Sequence, residues 1–544
     1  MMFCSRRLLL FFAASCLFPS IRSDGQSGNY AITGTVVERG SNRPLNHVLV
    51  TISPAEHRDL EVSYLTASDG RFAFTNLVAA KYSLEAQRRG DPPEGYRQNE
   101  SYGTAIATGP GLDSENIVFP LDAPGSISGT VVDQEGDPVR EVQLWLFHKG
   151  VFNGRFEVSL QTMRRSDSSG AFHCGHLRPG AYFIAAQARP WYARNVFPPQ
   201  EPEGEQNPAR SELDVAYPVT YYGDSVEAES AAPITISEGG SAKVQITLRA
   251  VPAVHVTLAG NERESDQTSH ATLFSPGPGG FLIPLHSIMS GRMNDRQQLM
   301  GVAPGHYVVA IQSFGHGVLH QSGRKTVDLS GNTTLDLSEV PKTSLAGQVS
   351  FEGSERPSGP AFVQFSCAAA GNNCQSFGAG VENDGTLDAS NTHFAPARYE
   401  VQIANVPGFY VKSVTAKGAT ASGTTIDIPE SASVQLTIVA AKGLTRVDGT
   451  ALRDGKPFAG AMVLLVPEDL SRMGSIRRDQ SDSDGTFTLN EVIPGRYRLV
   501  AIDDGRDLAY QDPEVIKPYL SGADPLNVSM TSLAGIKVEV ETRR

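Results

Sequence analysis

The stretch that decides the fold is Asp482-Ser483-Asp484-Gly485-Thr486-Phe487-Thr488-Leu489, followed closely by Pro494-Gly495-Arg496-Tyr497-Arg498-Leu499-Val500-Ala501. Its Asp-Gly pair is a turn signal, because glycine tolerates the positive φ that a tight turn needs. Phe487 and Leu489 then alternate with threonines, a period of two that is typical of a strand with one buried face. The Pro-Gly pair marks a second turn, and alternation resumes at Tyr497. The stretch therefore predicts two β-strands, each preceded by a turn.

The same pattern recurs along the chain. Tyr82, Tyr182 and Tyr497 each follow the glycine of the first turn by 12 residues. Two weaker copies keep part of the pattern, one at Pro304-Gly305 and the other at Asp384-Gly385. Repetition at a fixed spacing is the signature of a tandem array, and no long run shows helical periodicity. We therefore predict an all-β chain of about five sandwich modules.

A chain of 544 residues is too long for a single core, so several domains are expected. Alternating strands at 242–248 and 433–439 are expected to close two of the sandwiches. The predicted domains are a signal peptide at 1–23, a sandwich at 28–122, a second at 123–250 with a long aromatic and Pro-rich insertion at 189–240, degenerate sandwiches at 251–342 and 343–441, and a last sandwich at 442–544.

The N-terminus indicates export. Arg6-Arg7 precede an apolar run at 8–18, which is too short to span a bilayer comfortably. Ala13-Ala14-Ser15-Cys16 resembles a lipobox, which would put a lipid anchor on Cys16, and Ser5-Arg6-Arg7 resembles the start of a twin-arginine signal. An ordinary secretory peptide is the alternative. In each case the protein is expected to be extracytoplasmic, that is, secreted, periplasmic or on the outer surface.

Charge and cysteine content agree with this location. The formal net charge is −13 and no basic stripe is present, so a nucleic-acid partner is not expected. Cys367 and Cys374 bracket a short segment and are a candidate disulfide across a hairpin loop in an oxidising compartment. Cys174 takes the place that Phe74 has in the first module, so we predict that it is a small buried apolar residue.

The repeat resembles the carboxypeptidase regulatory-like domain, one of the transthyretin-like (prealbumin-like) β-sandwiches, which are close to carbohydrate-binding-like folds. The resemblance is carried by glycines, by the phenylalanine after the first turn and by the tyrosine after the second: Gly34, Gly70, Phe72 and Tyr82; Gly129, Gly170, Phe172, Pro179, Gly180 and Tyr182; Gly449, Gly485, Phe487, Pro494, Gly495 and Tyr497. It implies seven-stranded sandwiches that serve secreted bacterial proteins as accessory, adhesive or ligand-binding units. It implies no catalysis.

Candidate chemistry in the sequence is weak. None of the 12 histidines has a glutamate three residues later, and neither a nucleophile elbow nor a Walker loop occurs. His173-Cys174-Gly175-His176 offers soft ligands, but adjacent strand residues face opposite sides. The segment 480–491 matches part of a calcium loop, yet begins with glutamine and lacks flanking helices. We therefore predict no catalytic residue, metal site or cofactor.

Aromatic side chains flank the insertion and form the candidate ligand platform: Trp191, Tyr192, Tyr217, Tyr221 and Tyr222. Exposed rings stack on the apolar faces of sugars, whereas the alternative is that these rings pack the loop against the second sandwich. We expect a non-enzymatic binding or scaffold protein whose partner is a polysaccharide or another cell-surface component. The alternatives are a purely structural stalk and a hydrolase with its site in 189–240.

Overall fold

The computed structural model describes residues 28–57, 59–194, 212–259, 268–286, 288–293, 296–315, 318–337, 340, 343–353, 357, 359–367, 376–388, 396–429 and 433–543. The signal segment and Cys16 lie outside these ranges. The fold is almost entirely β, as predicted. Within the described part of the chain, the α-helix α1 spans Pro513–Leu520 and 3-10 turns lie at Ala228–Ser230, Pro278–Gly280 and Leu470–Ser475.

The strands are given by module, using the numbers 1 to 5 for the five predicted sandwich ranges. Module 1 has β1 Tyr30–Glu38, β2 Leu49–Pro54, β3 Val62–Leu65, β4 Arg71–Leu77, β5 Lys81–Gln87, β6 Glu94–Gly95, β7 Ile106–Ala107 and β8 Ile117–Leu121. Module 2 has β9 Gly125–Asp133, β10 Gln143–Phe152, β11 Arg155–Arg165, β12 Ala171–Leu177, β13 Gly180–Gln187, β14 Val215–Ala216, β15 Thr220–Tyr221, β16 Ile234–Ile236 and β17 Ser241–Leu248. Module 3 has β18 Val251–Pro252, β19 Val254–Ala259, β20 Thr268–Pro276, β21 Leu282–Pro284, β22 Met289–Met293, β23 Arg296–Val302, β24 Gly305–Gly315, β25 Val318–Leu329 and β26 Thr333–Asp336.

The remaining strands belong to the last two modules. Module 4 has β27 Ser344–Phe351, β28 Ala361–Cys367, β29 Phe377–Val381, β30 Thr386–Asp388, β31 Ala397–Ala404, β32 Phe409–Lys417, β33 Thr420–Ser422, β34 Thr425–Ile428 and β35 Ser433–Lys442. Module 5 has β36 Thr445–Arg453, β37 Lys456–Pro457, β38 Met462–Pro467, β39 Arg477–Gln480, β40 Thr486–Val492, β41 Gly495–Asp503, β42 Pro525–Val528 and β43 Leu533–Thr542.

All five modules share one strand arrangement. In each, a central strand pairs antiparallel with the strand that follows the first turn and parallel with the last strand: β4-β1-β8, β12-β9-β17, β23-β19-β26, β30-β27-β35 and β40-β36-β43. The opposing set of strands repeats as β3-β2-β5, β11-β10-β13, β21-β20-β24, β29-β28-β31 and β39-β38-β41. In module 4 the pairing of β29 with β30, and in module 5 that of β41 with β43, joins the two sets into one continuous sheet. The two weak sequence copies therefore keep the strand pairing of the other three, and β17 and β35 pair in parallel with β9 and β27.

The glycine at the centre of the first strand is required by packing. In module 5, Gly449 lies opposite Phe487 in the antiparallel pair. A Cβ on Gly449 would lie 2.4 Å from the Phe487 ring and 2.4 Å from the carbonyl oxygen of Ile536 on the parallel neighbour. Gly34 and Gly129 have the same environment, with the Phe72 and Phe172 rings each 2.7 Å from such a Cβ. The phenylalanine of the repeat thus packs against the glycine, which leaves room for its ring.

The tyrosine after the second turn closes that turn. Its hydroxyl donates a hydrogen bond to the carbonyl oxygen four residues earlier, over 2.7 Å in Tyr182, 2.7 Å in Tyr307 and 2.6 Å in Tyr497. Tyr82 makes the same bond at 3.3 Å. Each ring is buried, so the bond satisfies a hydroxyl that would otherwise be desolvated without a partner. This contact explains why tyrosine recurs at that position.

Modules 2 and 3 share a hydrophobic core. Strand β10 is buried on both faces, with Leu144 and Leu146 in the core of module 2 and Trp145 and Phe147 in the core formed with module 3. The Phe147 ring meets that of Phe281 edge to face, with centroids 5.2 Å apart. These two modules therefore pack as one unit.

Module 5 has a second core outside its sandwich. In β38, alternate residues enter the sandwich core, whereas Met462, Leu464 and Val466 pack on the other side. That side is covered by the segment that contains α1, which contributes Ile516 and Tyr519. Asp512 accepts a hydrogen bond from the backbone of Glu514 and caps this helix.

Candidate functional site

The structure scatters the five aromatic residues of the predicted ligand platform. Tyr217 lies in the core of module 2, and Tyr222 packs against that core. Tyr221 is fully buried in the core shared by modules 2 and 3, where its hydroxyl donates to the carbonyl oxygen of Pro276 at 2.7 Å. Burial raises the pKa of Tyr217 and of Tyr221 above its ordinary value. Tyr217 and Tyr221 thus offer no ring face to a ligand and instead hold the segment to the sandwich.

Two of the five rings form an accessible pair. Trp191 is 84% exposed, and the half-buried Tyr192 ring meets it edge to face at 5.7 Å. Tyr192 also lies close enough to Tyr217 to contribute to the raised pKa of that buried hydroxyl, which places the pair beside the module 2 core. The pair is therefore a small, anchored aromatic surface.

The other sequence candidates have structural environments. Cys174 is a free thiol buried in the module 2 core, as predicted, and burial raises its pKa. His173 is exposed on the same strand, whereas His176 pairs with Asp91 of module 1. No cluster of metal-ligating side chains occurs among the described residues. Cys367 is disulfide-bonded, but Cys374 lies outside those residues, so their pairing stays a prediction.

The turn that decides the fold also contacts another module. The backbone N–H of Ser483 donates to the carbonyl oxygen of Ala105 in module 1 at 2.9 Å. In return, the backbone N–H groups of Ala105 and Ala107 donate to the side chains of Asp482 at 3.0 Å and Ser483 at 2.8 Å. The Lys81 ammonium lies 2.5 Å from the Asp482 carboxylate. The first turn of module 5 thus binds module 1, almost 380 residues earlier in the chain.

Arg478 is the buried charge at this contact. Its side chain is 2% exposed and pairs with the carboxylate of Glu100, which is also largely buried. The guanidinium lies 4.6 Å from the centroid of the Tyr102 ring and 5.2 Å from that of Tyr510, within the range of cation–π attraction. It also donates to the carbonyl oxygen of Asn99 at 3.1 Å. Its partners therefore come from both module 1 and module 5.

The turn between β10 and β11 of module 2 also takes part in this contact. The backbone N–H of Gly154 donates to Glu100 at 2.9 Å, and its carbonyl oxygen accepts from Gln511 at 2.8 Å. A Cβ on Gly154 would lie 2.5 Å from the Tyr510 ring, so only glycine permits this approach. Arg155 donates to the Gln511 side chain at 2.9 Å. We call this meeting of modules 1, 2 and 5 the junction.

A second ion pair extends the junction. Arg506 of module 5 lies 3.2 Å from the carboxylate of Asp122 in module 1, and Arg39 pairs with the same carboxylate. Gln480 donates to the carbonyl oxygen of Arg97 at 2.7 Å and to Thr104 at 2.8 Å. Charge-assisted and buried bonds of this kind hold geometry better than exposed ion pairs do.

From the sequence, Asp482 is only the first residue of the stretch that contains the turn, and no motif marks the other junction residues. Arg478, Glu100 and Lys81 lie in unrelated parts of the chain, and no local pattern links them. The available signal was polarity at positions where a strand should turn inward, since Arg478 and Gln480 alternate with Arg477 and Asp479 in β39 and are buried. A buried arginine in a strand implies a partner from elsewhere.

Asp479 makes the stability of this region depend on pH. Burial raises the pKa of its carboxyl to about 6, and the nearby Asp482 adds to the rise. Its oxygen accepts from the backbone N–H of Thr488 at 2.7 Å. Because the folded pKa exceeds the unfolded one, the proton stabilises the fold fully below about pH 4, and this contribution is lost as the pH rises through about 6.

Asp479→Asn is expected to stabilise the protein at pH 7.5. The amide oxygen can keep the Thr488 bond while the half-buried charge is removed, so the free energy of unfolding should rise by about 2 kcal/mol. The gain should vanish below about pH 4. Thermal unfolding of both proteins across this pH range checks the expectation, with the exposed Asp427→Asn as control. A gain that does not change with pH would refute the assigned titration.

Comparisons with known proteins give a family match in one module and weak structural similarities. Residues 28–90 match the family model of the second beta sandwich domain of BOS complex subunit NOMO1-like proteins. A comparison with curated proteins finds no match. The minor pilin GBS52 of Streptococcus agalactiae is 15% identical over 43% of this chain and 99% of its own, with a TM-score of 0.22.

Two further solved structures are similar at the same low level. The major pilin subunit BcpA of Bacillus cereus is 10% identical over 77% of this chain and 100% of its own, with a TM-score of 0.14. Hydroxyquinol 1,2-dioxygenase of Pseudomonas putida is 16% identical over 28% and 69%, also with a TM-score of 0.14. A pilin and an enzyme have the same TM-score, so these similarities do not indicate a function. The family match places a β-sandwich at the start of a chain of repeated sandwiches.

Proposed function

We propose that the chain is a non-enzymatic, extracytoplasmic scaffold whose five sandwich modules close on themselves. The observation that carries this proposal is the junction, in which the last module binds the first and second through a buried ion pair, Arg478 with Glu100. The junction carboxylates and guanidiniums are used in bonds between modules. This use favours a role in holding shape over a role in chemistry.

The junction favours a closed body over a stalk. In a stalk, as in other linear repeat arrays, each module contacts only its sequence neighbours. Here Arg324 of module 3 donates to the carbonyl oxygen of Pro396 in module 4 at 2.5 Å, which is a contact between sequence neighbours. Module 5 also binds module 1, so the first and last modules of the array are in contact. A closed array fixes the relative positions of all its surfaces, which is what a scaffold requires.

The proposed location rests on the sequence signal and on a disulfide. Disulfides persist in oxidising compartments outside the cytosol, and Cys367 is disulfide-bonded. In the described ranges, no helix has both the length and the apolar character needed to cross a membrane. Lipid anchoring at Cys16 remains part of the proposal, and treatment of the processed protein with a lipoprotein lipase followed by mass spectrometry of its N-terminal peptide tests it.

Small-angle X-ray scattering of the mature protein tests the closed array. A compact chain of this length has a radius of gyration of ~24 Å, whereas a rod of five modules of ~30 Å each has one of ~43 Å. The proposal predicts a value nearer the first. A value near the second, with a long tail in the distance distribution, would support the stalk.

Carbohydrate binding is a second candidate function, favoured by the exposure of Trp191. A tryptophan that is 84% exposed and held by a neighbouring ring is a stacking surface for a sugar. We propose polysaccharide as the partner class for this surface. The proposal does not include the buried Tyr217 and Tyr221.

Trp191→Ala is expected to remove binding to immobilised polysaccharide without changing the melting temperature. The exposed ring contributes little to the fold, whereas stacking supplies most of a small sugar contact, so retention should fall at least about tenfold. A glycan array with the purified mature protein measures this. Phe156→Ala is the matched control, because Phe156 is 62% exposed in the same module. Equal retention by both variants would remove Trp191 from the site.

A further inference from the structure

A cleft of about 280 Å³ lies between modules 4 and 5, away from the junction. Module 4 supplies one wall with β31 and β32, and module 5 supplies the other with the turn at Leu470–Ser475 and its neighbours. The charged residues that line it are Glu400, Glu491, Arg472 and Arg477, and Gln402 and Tyr410 add polar side chains. A polar cleft of this size at a domain boundary accommodates a small ligand.

The two walls approach each other closely at two glycines. A Cβ on Gly474 would lie 2.5 Å from the carboxylate of Glu400, and one on Gly423 would lie 3.0 Å from the carbonyl oxygen of Ser471. Glycines thus allow module 5 to approach module 4 at both places. The two modules therefore lie in close contact beside the cleft.

Neither arginine of the cleft makes an ion pair with a carboxylate of the described residues. Arg477 donates from Nε to the carbonyl oxygen of Glu491 at 2.9 Å and from one terminal nitrogen to that of Ile476 at 3.1 Å, which orients its guanidinium. The half-buried Arg472 makes no ion pair with a described carboxylate. Two oriented or free guanidiniums in one cleft form a site for an anionic group.

The opposite wall offers acceptors and an aromatic ring. The Glu400 carboxylate accepts hydroxyl bonds from Thr424 at 2.5 Å and Thr425 at 3.2 Å, and it retains further lone pairs. Gln402 and the half-buried Tyr410 lie beside it. Such groups bind hydroxyls and the apolar face of a ring. The two walls together match a molecule that has both a carboxylate and several hydroxyls.

We propose that this cleft binds an acidic sugar, with the carboxylate on Arg472 and Arg477 and the hydroxyls on the Glu400 wall. The site is independent of the closed array and of Trp191, since neither Trp191 nor a junction residue lines it. The scaffold function requires no ligand, so this site would add ligand binding to it.

Calorimetric titration of the mature protein tests the proposal with digalacturonic acid and trigalacturonic acid as probes. Neutral galactose oligosaccharides of the same length serve as the comparison. The expected result is saturable binding of the acidic probes and at least about tenfold weaker binding of the neutral ones, because charge-assisted hydrogen bonds are lost. No binding of the acidic probes at about 10 mM, or equal binding of both sets, overturns the proposal.

Variants locate the site. Arg472→Gln is expected to weaken the acidic probes at least about tenfold, and Arg472→Lys, which keeps the charge but not the fork, to weaken them less. Arg71→Gln is the matched control, because Arg71 lies in module 1 and its side chain is 78% exposed. Unchanged melting temperatures show that the variants fold. Equal affinity in Arg472→Gln and Arg71→Gln overturns the assignment to this cleft.

Discussion

Phe147→Ala is expected to destabilise modules 2 and 3 together, by about 3–5 kcal/mol. Phe147 is fully buried in the core that both modules share, and its ring meets Phe281 of module 3 at 5.2 Å. Removing it leaves a cavity that the two sandwiches line together. Hydrogen exchange should therefore show lost protection in strands of module 3, such as β20 and β24, as well as in β10.

Phe365→Ala is the control for this coupling. Phe365 is equally buried, but its core contains residues of module 4 alone. Its loss should cost a similar free energy and leave the amides of modules 2 and 3 protected. If Phe147→Ala also affected only its own module, the shared core would not couple the two sandwiches.

Arg478→Ala is expected to open the junction and to cost about 3–5 kcal/mol of unfolding free energy. The substitution leaves the largely buried carboxylate of Glu100 without its cationic partner and removes the cation between Tyr102 and Tyr510. An unpaired buried charge costs more than the pair contributes, so module 5 should separate from module 1. Chemical denaturation gives the free energy, and scattering gives the increase in radius of gyration.

Two further variants show whether the effect belongs to the buried pair. Arg496→Ala removes an arginine of module 5 whose side chain is 81% exposed, and it should cost under about 0.5 kcal/mol. The double variant Arg478→Met with Glu100→Gln removes both charges and should recover much of the stability, since no charge remains unpaired. Failure of the double variant to recover would mean that packing at Arg478, and not its charge, holds the junction.

The strand arrangement was predictable because its determinants are local. Turn glycines, the alternation after them and the tyrosine at constant spacing lie within about 20 residues of each other in each copy. The structure adds the reasons: the glycine of the first strand makes room for a phenylalanine, and the tyrosine hydroxyl closes the second turn. Modules 3 and 4 keep the arrangement with a weaker pattern, because the pairing of first and last strands needs no special residue.

The contacts between modules were not predictable from these patterns. The pairing of Arg478 with Glu100 joins segments 378 residues apart, and nothing in either segment specifies the other. One feature of the sequence does indicate packing between modules. The runs Leu144-Trp145-Leu146-Phe147 and Met462-Val463-Leu464-Leu465 are apolar without alternation, which indicates strands buried on both faces. In module 1 the corresponding strand alternates through Thr51, and its outer face stays partly exposed.

The aromatic platform shows the same limit. Tyr217, Tyr221 and Trp191 lie near one segment in the sequence, but their positions do not show which rings are buried in a core. Tyr221 lies among the aromatic residues of the insertion and so joins the predicted ligand surface, whereas its ring packs in the core that modules 2 and 3 share. Of the five rings, only Trp191 is exposed and only Tyr192 accompanies it as a pair.

The closed array is tested most directly by zero-length carbodiimide coupling followed by peptide mass spectrometry. The reagent joins amines to carboxylates that are already in contact, and the Lys81 ammonium lies 2.5 Å from the carboxylate of Asp482. Lys412 and Glu352, also 2.5 Å apart but within module 4, provide the internal positive control. We predict a Lys81–Asp482 link that is lost in Arg478→Ala while the control link persists. Recovery of the Lys412–Glu352 link without any Lys81–Asp482 link in the unsubstituted protein would contradict the closed array.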